Sequence, residues 1–293
     1  MIKELCEKIG FSAEDGDFFE ECLAKVLADK ECTSKFFDAH EDYFGNGEIY
    51  FDTLGEIAEK LSIHRFSLDM TFLLYCARTL HCIYKNRGYD DEMFYDTVHD
   101  LWCKNNECKE VFGIRGTFVF KRWFRRFFLN TLFSFGRLEI GAVSFPREQF
   151  KEIKQGDRVF DCHIPSGGRL PIEEVYASLK KAYAFFKKEG VLKDDIMIVT
   201  CHSWILYPET VKVFGENTNL RKFAELFEIV FSAEDPENDN FWRIFGVEYK
   251  NIDKAPQDSS LRRNLVAYLK NGGNLGDAYG VLRFDGEKIV GID

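Results

Sequence analysis

The run Val159-Phe160-Asp161-Cys162-His163-Ile164, the turn Pro165-Ser166-Gly167-Gly168-Arg169-Leu170 and the helix opened by Pro171 constrain this chain more than any other stretch. The short apolar run reads as a strand. From Pro171 to Lys188, Ile172, Val175, Tyr176, Leu179, Ala182, Tyr183 and Phe186 recur at helical spacing and form one apolar face. Pro171 suits the first helical position, Lys187 and Lys188 suit the negative helix end, and Gly190 marks the exit. A strand, a glycine turn and a helix N-terminus are the parts of an anion site, because unpaired N–H groups and the positive helix end point the same way. Leu170 is expected as the N-cap and offers no side-chain acceptor, which leaves the first helical N–H groups for another partner. Glycines let a phosphate approach the backbone, and Arg169 adds a charge able to bond two oxygens. An ordinary tight turn explains the same residues: Glu173 and Glu174 partly fill the anion's role, and Pro171 removes a donor.

The surrounding sequence alternates strand and helix, which predicts an α/β (α+β) second half. Strands are expected over Arg137 to Phe145, Arg158 to Ile164 after the turn at Gly156-Asp157, and Asp195 to Trp204. The near-continuous Ile196-Met197-Ile198-Val199 suggests a strand buried on both faces and flanked by helices. Asn217 to Phe231 mixes a short helix with a strand. Ser259 or Ser260 caps a helix through Leu261, Leu265 and Leu269 that ends at Gly272-Gly273. Tyr279 to Phe284 and Glu287 to Val290 flank Asp285-Gly286 as a hairpin.

The first half, to about residue 110, reads as helix after helix with acidic outer faces. Ser12 opens a segment carrying Phe18, Phe19, Cys22, Leu23 and Val26; Ser67 is expected to cap a longer one through Met70, Leu73, Leu74, Ala77 and Leu80. Asp90 and Asp91 lead into a third, and Gly45-Asn46-Gly47 and Asn86-Arg87-Gly88 are breaks. Phe118 to Phe135 is dense in aromatics and carries Lys121, Arg122, Arg125 and Arg126. It is expected as an amphipathic helix joining the two halves; a membrane-surface or RNA-gripping helix has the same composition. The boundary is expected between 115 and 130, giving domains 1–120 and 121–293.

Composition narrows the function classes. A net charge of −10 argues against nucleic-acid binding, which needs a basic footprint. No apolar run approaches the roughly 20 residues that span a bilayer, and the acidic, amphipathic start shows no secretory leader. The 9 cysteines are scattered without a C-x-x-C pair, so they are expected to be reduced thiols of a cytoplasmic protein. No H-x-x-x-H or clustered Asp motif suggests a metal.

Three groups remain as chemistry. His163 arrives at the carboxyl end of its strand beside the glycine turn, and Thr200-Cys201-His202-Ser203-Trp204 ends the next strand; ligands of open α/β sheets gather at such ends. His163 is a candidate base or substrate holder, with a satisfied core histidine as the plain alternative. Cys201 and Ser203 are poor nucleophiles beside His202, because adjacent strand residues face opposite ways and no Gly-x-Ser-x-Gly elbow exists. Glu139, mid-strand, is a candidate general base; the alternative is a salt bridge near Arg137 or a solvated strand face.

Phe135-Gly136-Arg137-Leu138-Glu139, then His163 to Leu170, then Cys201-His202-Ser203-Trp204-Ile205-Leu206, with Asn217-Thr218-Asn219-Leu220-Arg221-Lys222-Phe223, occur in this order. The set resembles a family of bacterial N-acyltransferases with a helical N-terminal domain and a GNAT-like, acetyltransferase-like C-terminal domain. The resemblance implies a mixed sheet flanked by helices and a cosubstrate, acetyl-CoA or another acyl-CoA. It implies that Ile164, Ser166, Gly167, Gly168, Arg169 and Leu170 hold coenzyme A; Glu139 and His163 are the candidate catalytic residues from the reading above. Acetyltransferases of this kind usually carry Gln or Arg, two residues, Gly, one residue, then Gly or Ala; this loop instead has adjacent glycines and a later Arg. The implied function is acyl transfer to an amine of a small molecule or peptide, without nucleic acid or membrane partners. The alternative is a non-catalytic GNAT-like module that binds a ligand or partner.

Overall fold

The computed structural model describes residues 2–119, 122–237 and 239–291. The chain divides into two compact units, 1–133 and 134–293. In the first unit the helices are α1 (Lys3–Lys8), α2 (Ala13–Ala28), α3 (Lys30–Phe44), α4 (Tyr50–Lys60), α5 (Arg65–Arg87), α6 (Asp91–Val98), α7 (Asp100–Phe112) and α8 (Arg125–Phe128). Ser12 and Asp90 accept from Asp15 N–H and Met93 N–H and so cap α2 and α6 as their sequence predicts. α5 ends at Gly88, whose φ of +73° is open to glycine.

Two expectations fail here. Ser67 does not cap α5: the helix starts at Arg65 with His64 as N-cap, and Ser67 lies buried inside it. Its Oγ donates to Arg115 O at 2.6 Å, so it serves a tertiary contact in place of a helix end. Among the described residues of Phe118 to Phe135, the expected helix is only the single turn α8. The segment after α7 is pinned instead to the start of α5: Thr117 N–H donates to Phe66 O, and Asn105 accepts from Gly116 N–H. A Cβ on Gly116 would lie 2.3 Å from Phe66 O, so the backbone passes too close for any other residue. Phe124, Phe127 and Phe128 are buried, Arg125 donates to Tyr43 O and Gly45 O, and Arg126 lies over the Trp123 ring. These cations serve the unit's own backbone and rings, while Lys121 lies outside the described residues. No helix among the described residues is long and apolar enough to cross a membrane.

One buried ion pair in this unit makes stability depend on pH. Asp69 on α5 accepts from Arg65 Nε at 2.7 Å, and Arg65 also donates to Phe51 O and stacks on the Phe51 ring. Burial pushes the Asp69 carboxyl up to about 7, against the pull of Arg65. A raised carboxyl holds its proton longer folded than unfolded. Its contribution is therefore greatest below the ordinary value of 3.8 and is lost as pH rises toward 7. Asp69→Asn should flatten this slope by roughly 2–3 kcal/mol between about pH 5 and pH 8, read by urea denaturation. A variant as pH-dependent as the parent would disprove the assignment.

The second unit is built on a sheet: β1 (Phe133–Ser134, crossing the boundary), β2 (Glu139–Ser144), β5 (Arg158–His163), β6 (Met197–Ser203), β7 (Glu228–Glu234), β8 (Gly276–Phe284) and β9 (Ile289–Val290), with the small hairpin β3 (Gln149–Phe150) and β4 (Ile153–Lys154). Its order is β1-β2-β5-β6-β8-β7, with β9 paired to β8. β5 and β6 run parallel, as the helical crossover between them requires. That crossover is α9 (Ile172–Lys188), followed along the chain by α10 (Pro208–Val211), α11 (Asn219–Ala224), α12 (Phe241–Phe245) and α13 (Ser260–Lys270). The mixed stretch after Asn217 resolves into α11 and β7, and Ser259 caps α13. The closing hairpin forms at Asp285, whose carboxylate accepts from Glu287 and Lys288 N–H.

β6 is largely buried, as its apolar run predicts, but one of its faces is not covered by a helix. Ile198 packs with Phe145, Phe150, Ile153, Val159 and Val281, so the β3–β4 hairpin folds over that face. On the opposite face, the Phe160 ring packs at a tilt against that of Phe186 of α9. Phe241, Phe245, Leu265 and Leu275 make a separate cluster in which α12 and α13 meet beside Trp204.

Candidate active site

The β2–β5 ladder sets the site. Glu139 lies opposite His163, Gly141 opposite Asp161, and Val143 opposite Val159. Directly opposed residues share a face, so Glu139, His163 and Asp161 look the same way. The face continues across the sheet because Asp161 aligns with Thr200 in β6 and His202 with Tyr279 in β8. At one end this face is closed by the apolar cluster under the β3–β4 hairpin. At the other, toward the carboxyl ends of β5 and β6, it is a polar row. The parallel register of β5 with β6 is short, pairing Phe160 with Val199 and Asp161 with Thr200, and both strands run on beyond it.

Glu139 is 1% exposed, which excludes the solvated strand face. Burying a carboxylate is costly unless a partner shares its charge or proton. His163 Nε2 stands 3.9 Å from Glu139 Oε2, and its side chain is 35% exposed. That distance suits an ion pair and is too long for a hydrogen bond. The pair therefore joins a dry carboxylate to an imidazole in contact with solvent. Such an arrangement can take a proton at the exposed imidazole and hold it at the buried carboxylate.

The glycine turn follows directly on His163. Ser166 is half-buried and Gly167, Gly168 and Arg169 are exposed; Gly167 has φ +88°, which reverses the chain sharply. Leu170 is buried and is not the N-cap: Pro171 is, with ψ 137°, and α9 opens at Ile172. The expected vacancy survives this correction, since proline offers no capping acceptor either. Glu173 and Glu174 do occupy the first turn.

These elements match known models over nearly the whole chain. The N-acyltransferase N-terminal domain matches residues 1–129, and the GNAT-like C-terminal domain matches residues 132–282. The chain belongs to the N-acyltransferase family with a GNAT-like C-terminal domain. No curated protein matches it. Among solved structures, an acyltransferase in complex with decanoyl-CoA and teicoplanin is similar over 96% of this chain and 86% of its own, with TM-score 0.74 at 19% identity. An acyltransferase mutant in complex with octanoyl-CoA is similar over the same shares, with TM-score 0.74 at 19% identity. At this identity the likeness speaks for the fold, a helical first domain followed by a mixed sheet flanked by helices.

In this N-acyltransferase the strand-end cysteines are not nucleophiles. The Cys162 thiol is hydrogen-bonded to that of Cys201 and buried, and both effects push it well up. Ser203 Oγ accepts from Ile205 N–H and caps the 3-10 turn Trp204–Leu206. His202 is exposed on the face opposite Cys201, as strand alternation demands.

Two groups escaped the sequence reading. Tyr279 joins the polar row through the antiparallel β6–β8 register, with its ring 6.2 Å from that of His202. Burial raises its phenol, although the nearby Thr200 hydroxyl pulls it back in part, so it stays protonated and able to donate. No local signal marks a tyrosine in a strand; only the pairing of distant strands does. Arg137 is the second. It donates from Nε to Arg169 O at 2.7 Å and from Nη2 to Gly168 O at 3.2 Å.

Proposed function

We propose that this protein transfers an acyl group from an acyl-coenzyme A, acetyl-CoA or a longer homologue, to an amine of a small molecule or peptide. The observation that carries the reading is the Glu139–His163 pair set next to a glycine turn at the N-terminus of α9. The solved acyltransferases named above, in complex with decanoyl-CoA and teicoplanin and with octanoyl-CoA, support an acyl-coenzyme A as cosubstrate.

The chemistry is direct. His163 takes a proton from the acceptor ammonium and passes it to Glu139 once the bound substrates close the pair to hydrogen-bond distance, and the free amine attacks the thioester carbonyl. Backbone N–H groups past the last β5–β6 pair hold the oxyanion formed with the C–N bond; its collapse breaks the C–S bond, and the thiolate takes up the second proton lost by the attacking nitrogen. Ile164, Ser166, Gly167, Gly168, Arg169 and Leu170 hold the cofactor: the turn and α9 meet the diphosphate, while Leu170 packs inward as the turn's apolar anchor. The reaction belongs to the cytoplasm, where acyl-coenzyme A is made and the nine cysteines stay reduced.

Calorimetry with acetyl-CoA tests this. Heat of binding is expected at or below millimolar ligand, and none at that concentration overturns it. Binding without thiol release across a panel of primary amines would favour the non-catalytic module.

A further inference from the structure

We infer that Arg137 is the positioning residue of the coenzyme A loop. The inference rests on the acyl-coenzyme A reading above and adds a residue to it. A turn of six residues with two adjacent glycines has little intrinsic order, and fixing it costs conformational entropy. Something must hold it in the shape that presents N–H groups to a diphosphate.

The Arg137 guanidinium does this by taking two successive carbonyls. Its Nε donates to Arg169 O and its Nη2 to Gly168 O, at 2.7 and 3.2 Å. With both oxygens turned toward the fork, they cannot face an incoming anion and repel it. Arg137 is itself held in place. Its own N–H donates to Ser178 Oγ at 3.0 Å, and Ser178 Oγ donates to Glu174 O at 2.8 Å in the first turns of α9. Ser178 is buried, so this tie is protected from water. Gly136, just before, adopts φ +92° and places the fork where it reaches. The β1–β2 turn, the glycine loop and the start of α9 thus form one braced unit. The guanidinium also brings a positive charge to the loop that leads into the N-terminus of α9, the positive end of the helix.

Lysine cannot replace the fork, because an ammonium donates as a point charge and loses the planar two-carbonyl grip. The test is calorimetric, with the full-length protein and two ligands. Acetyl-CoA carries the diphosphate; S-acetyl-pantetheine carries the same thioester and arm without it. In Arg137→Met the Kd for acetyl-CoA should rise roughly tenfold to a hundredfold, the loss of one or two charge-assisted bonds. The Kd for S-acetyl-pantetheine should move less than about twofold. Arg137→Lys should recover part of the loss, and it keeps the test open if the methionine variant fails to fold. Equal loss for both ligands would mean a general structural role and would overturn the inference, as would no loss for either. Failure of the parent protein to bind acetyl-CoA is a separate result and counts against the proposed function itself.

Discussion

Glu139→Gln leaves acyl-coenzyme A binding unchanged and slows acyl transfer by a factor of about 10² to 10⁴, the usual range for removing a positioned base. The substitution keeps volume and shape at a site 1% exposed, so it opens no cavity. It removes only the ability to accept a proton. His163→Gln should cost less, because the buried carboxylate remains and solvent reaches the half-exposed end of the pair. The measurement is thiol release at saturating acetyl-CoA with an amine acceptor, alongside the Kd for acetyl-CoA. Glu139→Gln turning over at the parent rate would reduce Glu139 to a structural carboxylate and move the search for the base to Asp161 or His202 on the same face.

Gly168→Asp is the second large effect: loss of acetyl-CoA binding by more than about a hundredfold, from like charge against the diphosphate and a captured guanidinium. A Cβ at Gly168 lies 3.7 Å from Arg137 Nε, an ordinary contact, so the side chain is sterically admitted. The new carboxylate would then draw the fork away from the carbonyls of Gly168 and Arg169. Gly168→Ala separates charge from bulk, since Gly168 has no positive φ to lose, and should bind nearly as the parent does. If alanine abolishes binding as thoroughly as aspartate, the loop is defined by backbone fit alone and the anion argument falls.

Much of the fold was legible because its signals are local. Caps at Ser12 and Asp90, the exit at Gly88, the face of α9 and the hairpin at Asp285-Gly286 each depend on a few adjacent residues. Ser67 shows where this stops. It has the chemistry of a cap and the spacing of one, but Arg115 O, far along the chain, recruits it into the helix interior. Phe118 to Phe135 shows the same in larger form. Its aromatic period suits a helix, yet burial of Phe124, Phe127 and Phe128 and the anchoring of Gly116 against Phe66 outweigh propensity.

The site divides the same way. The sequence by itself determined the glycine turn between a strand and α9, the place of His163 at a strand end, and the opposed faces of Cys201 and His202, because strand alternation and helix ends follow from single-chain geometry. Only the tertiary structure decided that Glu139 faces His163, that Tyr279 joins their row, and that Arg137 grips the turn. Each of those rests on the register between strands or on a side chain crossing from one element to another. Register is fixed by the whole sheet's packing, where a slip of one residue would have sent Glu139 to the opposite face.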